Sequence, residues 1–523
     1  MAKAVTATEA GAWYRPNTKR GLRNLRRLTQ VALLALWLAL FLLTRDPVTE
    51  ALRADLFLIT DPLVAAITMG AAQLVVPTAL WSLLFVAATL VLGRFFCGWI
   101  CPLGTLIDLT AKLLKPPEDR FSLETHQRMQ RWKYYLLLVT VAAALVSSQW
   151  AFLLDPLVLL YRGVTGGLYP ALLAALPSKA LAEPLRLQLT TIAVLPTLLL
   201  IAVLGLTALT PRFYCRYLCP LGALYGLLAR ASLLRRRVTP CDGCKAVGTD
   251  KQCRSGCRMG AVPRNQNLTQ NHECIRCFSG RSFCHQESIH FDWMAPKVTK
   301  YERPLELGRR QFLLTSATGL ALAPVASLGG YHRNDPNTLV RPPRVLDEET
   351  FLDQCVRCGM CVQACPTQTL QLTHLEAGFG GLWTPAITPV IEGCKADCNQ
   401  CGEVCPTDAI PSFSKHEADK WSVKMGTVVF EQGRCISYTS GETCEKCLKI
   451  CPTKAFNIEA KTAATPRRPR SVNYVRCMGC GLCEKACRRI VFGKPALITF
   501  AHGRGQPTVL REQPSAGYRP PER

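Results

Sequence analysis

The chain of 523 residues is 49% hydrophobic and only 19% charged, yet its formal net charge is +25. Such length and apolarity exclude one compact soluble domain. Lys and Arg collect beside apolar runs, so the basic excess reads as membrane topology rather than nucleic-acid binding, and the dense spacing of the 27 cysteines argues against a secreted disulfide scaffold.

Residues 1–27 are a basic N-terminus. Four apolar runs follow, near 28–44, 74–96, 132–153 and 189–209, each approaching the ~20 residues needed to cross a ~30 Å hydrocarbon core. The first comes after Lys19, Arg20, Arg23, Arg26 and Arg27, but no small-residue cleavage site follows Leu43, so it reads as an uncleaved span. Seven Lys/Arg precede it and six lie in 94–131, against two in 45–73 and three in 154–188. The positive-inside rule then makes the N-terminus, the 94–131 loop and the chain just after 209 cytoplasmic.

The spans read as a duplication within a module of residues 28–232. The stretch Arg94 to Gly104, with Cys97, Cys101 and Pro102, recurs as Arg212 to Gly222, with Cys215, Cys219 and Pro220. Upstream, Phe57 to Val64 with Asp61-Pro62 recurs as Phe152 to Val158 with Asp155-Pro156. Two spans per unit preserve orientation, giving parallel repeats about an axis along the membrane normal. The Asp-Pro elements read as helix N-caps with Pro at the first helical position, the other reading being carboxylates that accept protons from a quinol. Two cysteines four apart on a helix share a face. Cys97, Cys101, Cys215 and Cys219 are therefore expected to meet in one shared redox or metal site, against the plainer reading of small packing residues.

Residues 233–306 form a cytoplasmic cysteine segment. Arg235, Arg236 and Arg237 lead into Cys241, Cys244, Cys253 and Cys257, then Cys274, Cys277 and Cys284, with Gly280 where a third cysteine of the second set would stand. Seven thiolates imply one or two further iron–sulfur clusters. Zinc remains open here, and His272 and His285 are candidate substitute ligands, though ordinary surface histidines are the plainer reading. Residues 307–330 carry Arg309-Arg310 before an uncharged stretch, which reads as the address for export of folded proteins, the other reading being a plain membrane helix with two positive-inside anchors. A domain loaded with clusters in the cytoplasm crosses only folded, so the chain beyond this fifth span is expected outside. A linker at 331–344 precedes the domain 345–500, and a disordered tail is expected at 501–523.

The domain 345–500 holds four ligand runs: Cys355, Cys358, Cys361 and Cys365; Cys394, Cys398, Cys401 and Cys405; Cys435, Cys444, Cys447 and Cys451; and Cys477, Cys480, Cys483 and Cys487. Three closely spaced thiolates converge on one cubane, while the last of each run commonly ligates a neighbour. Zinc motifs come instead as separated pairs, so four [4Fe-4S] clusters are expected. From connector lengths, the runs are expected to pair outside-in, first with fourth and second with third, with Cys487 completing the cluster of Cys355, Cys358 and Cys361. The fold class is thus a membrane α-helical module, four spans as a two-fold parallel repeat plus a fifth Tat-type span, with α+β ferredoxin-like 4Fe-4S domains.

The first half, with its Cys-x3-Cys-Pro repeats, resembles NapH, the membrane polyferredoxin of periplasmic nitrate reductase systems. The second half is similar to the exported NapG and to MauM of methylamine dehydrogenase gene clusters, through Arg341-Pro-Pro, Phe351 to Thr367, Gly381 to Pro385 and Cys394 to Pro406. The chain looks like a fusion of the two, departing from the pattern at Gly280. The resemblance implies a multi-pass protein of the bacterial inner membrane with its C-terminal domain in the periplasm, passing electrons from membrane quinol to a periplasmic cytochrome or reductase. The alternative, suggested by the FixG/CcoG copper-handling proteins and by MauM, is a metal- or thiol-reducing factor for maturation of another redox enzyme. No c-type haem attachment motif and no phosphate-cradling Gly-rich loop is present, which leaves terminal chemistry to a partner. Clusters on opposite faces would be separated by the ~30 Å core, so the quinone pool, an intramembrane cofactor or a partner subunit has to bridge them.

Overall fold

The structure is a computed structural model that describes residues 18–44, 55–74, 76–117, 121–145, 149–175, 194–239, 256–262, 268–284, 288–293, 308–328, 339–374, 378, 380–415, 417–459, 467–490, 494–502, 504 and 506. Cys241, Cys244, Cys253, His285 and most of the 331–344 and 501–523 segments lie outside them.

The first apolar run becomes the helix Thr18–Leu43. Its Gly21–Leu43 portion is, among the described helices, the one long and apolar enough to cross a membrane. One side carries Trp37, Leu40 and Phe41 into the core, while Leu28, Val31, Leu36, Leu38 and Leu42 stay exposed. An outer face that apolar is poorly suited to water. The later runs are shorter than their sequence suggests. Ser82–Leu92 stops at Gly93, whose φ of 75° ends the helix, and Val194–Gly205 has 12 residues. Trp132–Ala144, with 13 residues, spans roughly 20 Å. The exposed Leu80, Leu83, Leu84, Leu195, Leu198 and Ile201 continue the apolar outer surface.

Both Asp-Pro elements are helix caps. Asp61 accepts from the Leu63 and Val64 amides at 2.8 and 3.3 Å to start Pro62–Ala72. Asp155 accepts from Leu157 and Val158, both at 2.9 Å, to start Pro156–Gly163. The cysteine pairs depart from expectation, because neither lies along one helix. Cys97 sits in the short helix Phe96–Trp99, and Cys101 is the N-cap of Pro102–Leu114. Likewise Cys215 lies in Phe213–Tyr217 and Cys219 caps Pro220–Leu228. Proline lacks the amide needed to continue a helix but suits its first position, so the chain breaks between the two cysteines.

In the middle segment β1 (Leu234–Val238) pairs antiparallel with β2 (Ile289–Trp293), closing the cysteine-bearing loop. The helix Arg309–Leu328 runs along Trp132–Ala144, with Gly319 close enough that a Cβ would meet the Val139 carbonyl oxygen at 2.8 Å. Among the described residues the C-terminal part is α+β, built from short helices and three two-stranded antiparallel ladders. They are β3 (Leu370–Leu372) with β4 (Pro385–Ile387), β5 (Thr427–Phe430) with β8 (Leu497–Phe500), and β6 (Phe456–Glu459) with β7 (Arg468–Val472). One continuous core runs from Leu63, Phe96 and Tyr161 to Cys355, Cys361 and Trp421, so this part is docked on the helical module rather than tethered beside it. A smaller core surrounds Val428, Cys447, Phe456 and Cys483.

Candidate functional site

The thiols of the C-terminal part gather in consecutive pairs of runs, which corrects the outside-in expectation. Cys405 joins Cys355, Cys358 and Cys361 around a small pocket that also has Val356, Met360 and Ile410 in its wall. Cys365 comes reciprocally to Cys394 and Cys401, with Cys398 beside them. Cys487 faces Cys435, Cys444 and Cys447, not the first run, and Cys451 faces Cys477, Cys480 and Cys483. The reason is local. The β3–β4 ladder returns the chain after Cys365 to Cys394, with the Thr388 amide donating to the Thr369 carbonyl at 2.7 Å. The β6–β7 ladder does the same between Cys451 and Cys477, where the Asn473 amide donates to the Ala455 carbonyl at 2.6 Å.

The four sets lie in a row. Cys361 neighbours Cys401, the Cys394 amide donates to the Cys480 carbonyl at 2.7 Å, and Cys483 neighbours Cys447. At one end of the row Cys358 approaches Tyr161 of the helical module. There Arg162 stacks on the Trp383 ring at 4.3 Å, Thr78 Oγ1 donates to the Pro406 carbonyl at 2.9 Å, and a Cβ on Gly359 would meet Thr165 at 3.3 Å.

Burial pushes the Cys394 and Cys405 thiols up to about 11 and the Cys447 thiol up to about 12. A thiolate persists at such a place only against a strong local positive charge, which cluster iron supplies. Among the described residues no three His, Cys, Asp or Glu side chains close tightly enough to hold a lone metal ion. Thiolates that share a cluster stand apart, because iron and sulfide fill the space between them. Buried thiols around an otherwise apolar pocket fit an iron–sulfur cluster.

The two Cys-x3-Cys-Pro turns are locked to each other by crossed arginines, a feature not foreseen from the sequence. Arg212 Nη1 donates to the Cys97 carbonyl at 2.9 Å, and Arg94 Nη2 donates to the Cys215 carbonyl at 3.4 Å. The signal was present, since an arginine stands three residues before the first cysteine of each motif. Each guanidinium is fully buried and held by a carboxylate, Arg212 by Asp108 at 2.8 Å and Arg94 by Glu273 at 3.2 Å. Burial alone would raise both acids, but the arginines and Lys133 hold them below the usual carboxylate range. Cys101 lies within electrostatic reach of Cys97 and Cys215, as does Cys219. Their Sγ atoms accept from the Gly104 and Gly222 amides at 3.4 and 3.2 Å.

The middle segment docks on this turn region. Trp99 Nε1 donates to the Arg276 carbonyl at 3.0 Å, and a Cβ on Gly98 would strike the Ile275 carbonyl oxygen at 2.3 Å. Cys257 is gathered with Cys274 and Cys277, and Cys277 reaches toward Arg212; Cys284 is partly exposed. A side chain at Gly280 would meet nothing nearer than Ile289 at 3.6 Å, so space for a ligand exists where the residue is missing. His272 is turned toward Glu273 and the Tyr134 ring, and burial lowers its pKa to about 4.

These features define an iron–sulfur electron-transfer protein, and comparison with known proteins agrees. Models described as a 4Fe-4S binding domain match residues 74–118, 192–240 and 350–371, and the first two intervals contain the two Cys-x3-Cys-Pro motifs. The chain is 34% identical over 206 residues to the ferredoxin-type protein NapG of Escherichia coli, covering 36% of this chain and 84% of that protein. It is 34% identical over 215 residues to the methylamine utilization ferredoxin-type protein MauM of Methylorubrum extorquens, covering 39% of this chain and 89% of that protein. To NapG of Haemophilus influenzae it is 32% identical over 208 residues, with 36% and 71% covered. No solved structure matches. The chain belongs to the NapG/MauM family of ferredoxin-type iron–sulfur proteins.

Proposed function

We propose that the protein is a membrane-bound electron conduit that takes electrons from membrane quinol and delivers them, through four [4Fe-4S] clusters, to a periplasmic redox protein. A cubane supplies one-electron chemistry, its potential tuned by hydrogen bonds and solvent. The observation that carries the reading is the row of four thiol sets beginning at the helical module. Cys355, Cys358, Cys361 and Cys405 would hold the membrane-proximal cluster. Next in the row stand Cys365, Cys394, Cys398 and Cys401, then Cys451, Cys477, Cys480 and Cys483. Cys435, Cys444, Cys447 and Cys487 hold the far end, where Cys435 and Cys444 are partly exposed and a soluble partner has access.

The helical module is proposed as four spans in two parallel repeats of an inner membrane protein, with a fifth, Tat-type span at Arg309–Leu328 that leaves the C-terminal domain outside. The apolar outer surface and the positive-inside count support this. Cys97, Cys101, Cys215 and Cys219 are proposed as a shared redox or metal site at the cytoplasmic end of the spans, and the crossed arginines support it by holding both turns together. On the inner face, Cys241, Cys244, Cys253, Cys257, Cys274, Cys277 and Cys284 would hold one or two further clusters. Quinol added to the protein in liposomes tests the function. Prompt bleaching of cluster absorbance is the expected result, while absence of bleaching with reduction of added Cu(II) instead would favour the maturation-factor reading.

A further inference from the structure

The two helix-capping aspartates meet. Asp61 and Asp155 are both fully buried, and each uses Oδ1 for its own helix amides. Each Oδ2 finds no donor elsewhere in the described protein, and the two carboxyl groups lie within hydrogen-bonding reach of one another. Two acceptors cannot bond each other, and two carboxylates in contact without water cannot both ionise. A proton between them resolves both problems. The pair then carries one negative charge, and one guanidinium, Arg162 on the helix capped by Asp155, stands beside it.

Among the described residues, titratable groups facing the pair include Tyr225, fully buried with its hydroxyl unpartnered there, and Tyr214, whose hydroxyl donates to the Leu154 carbonyl. Arg162 also lies within electrostatic reach of Cys358 and Arg357 and stacks on Trp383 of the docked domain. It therefore stands between the carboxyl pair and the first thiol set of the row.

We propose that Asp61 and Asp155 form a proton-holding pair that couples proton uptake to reduction of the membrane-proximal cluster. One electron from an external reductant enters the cluster held by Cys355, Cys358, Cys361 and Cys405. One proton from the aqueous phase binds the carboxylate of the pair that lacked one. The charge around Arg162 is then unchanged, and the process reverses on oxidation. The inference rests on a cluster occupying that thiol set but not on quinol as the donor.

The test is a redox titration of the full chain in lipid nanodiscs with chemical mediators, the first cluster being followed by EPR at a series of pH values. One proton per electron predicts a tenfold shift in the reduction equilibrium per pH unit, about 59 mV for a one-electron couple. Asp61→Asn and Asp155→Asn should each flatten that slope. Asparagine caps helices as well as aspartate does, so both variants retain the caps, and unchanged iron content checks this. Infrared difference spectra should show a carboxylic C=O band appearing on reduction in the wild type and missing from both variants. A pH-independent wild-type potential overturns the proposal whatever the variants do. So does a slope that survives in either variant. Because quinol is absent from the titration, failure of the quinol reading leaves this result untouched.

Discussion

Replacing Glu273 with Gln should release the middle cysteine segment from the helical module. Its carboxylate is 1% exposed and collects Arg94 Nη1 at 3.2 Å, the Tyr134 hydroxyl at 2.9 Å and the Lys133 ammonium. Arg94 and Lys133 are themselves fully buried. The amide keeps one acceptor but removes the negative charge, leaving two cations without a counter-ion. Breaking a buried ion pair by removing one partner costs about 3–5 kcal/mol. At 1.36 kcal/mol per power of ten, local opening should become roughly 10² to 10⁴ times more frequent. Hydrogen exchange of the amides in 268–284, measured in nanodiscs, reads that opening directly. Restoring balance with Glu273→Gln and Lys133→Met together should recover part of the protection, because one of the two uncompensated charges is gone. Exchange in Glu273→Gln within tenfold of wild type would refute the electrostatic account of docking.

Gly98→Ala should loosen the same interface sterically, since its Cβ would lie 2.3 Å from the Ile275 carbonyl oxygen, a backbone atom. Overpacking of this kind costs about 1–3 kcal/mol, and 268–284 exchange should rise while the C-terminal domain keeps its protection. His126 accepts or donates at 2.6 Å with the Tyr217 hydroxyl, and burial, aided by Arg216, lowers its pKa to about 4. An unfolded histidine titrates near 6.5, so the unfolded state binds the proton first. Stability from this group is present above about pH 6.5 and is lost as pH falls toward 4, by at most about 3 kcal/mol. Denaturation followed across that window should show the loss in wild type and not in His126→Gln. For the cluster pairing, Cys405→Ser should perturb the EPR signal of the set containing Cys355, whereas Cys487→Ser should perturb the set containing Cys435. A Cys487→Ser change in the first set instead would restore the outside-in arrangement.

The ligand residues of the C-terminal domain were readable because a cubane dictates compact cysteine spacing, and the Asp-Pro caps because proline fixes where a helix starts. Cluster pairing was not readable from connector length, since it is decided by the ladders β3–β4 and β6–β7, and short strands interrupted by Pro385 and Pro469 give weak periodicity. The repeated motif showed Arg94 and Arg212 in equivalent places, but not that each reaches the opposite turn. Their partners Asp108 and Glu273 were silent, because a single acid in a loop looks like solvated surface until packing buries it. Spacing alone places each cysteine pair on one helix, whereas Pro102 and Pro220 divide each pair between two helices.

On the proposed route, electrons enter the row at the set next to the helical module and reach the far end only through it. Rapid mixing of the liposome-reconstituted protein with quinol, followed by freeze-quench EPR, tests this in wild type and in Cys358→Ser. In wild type the set of Cys355, Cys358, Cys361 and Cys405 should be reduced first, and in Cys358→Ser reduction of the Cys435 set should slow at least tenfold with its iron retained. Reduction of the Cys435 set at the wild-type rate in Cys358→Ser would contradict the account.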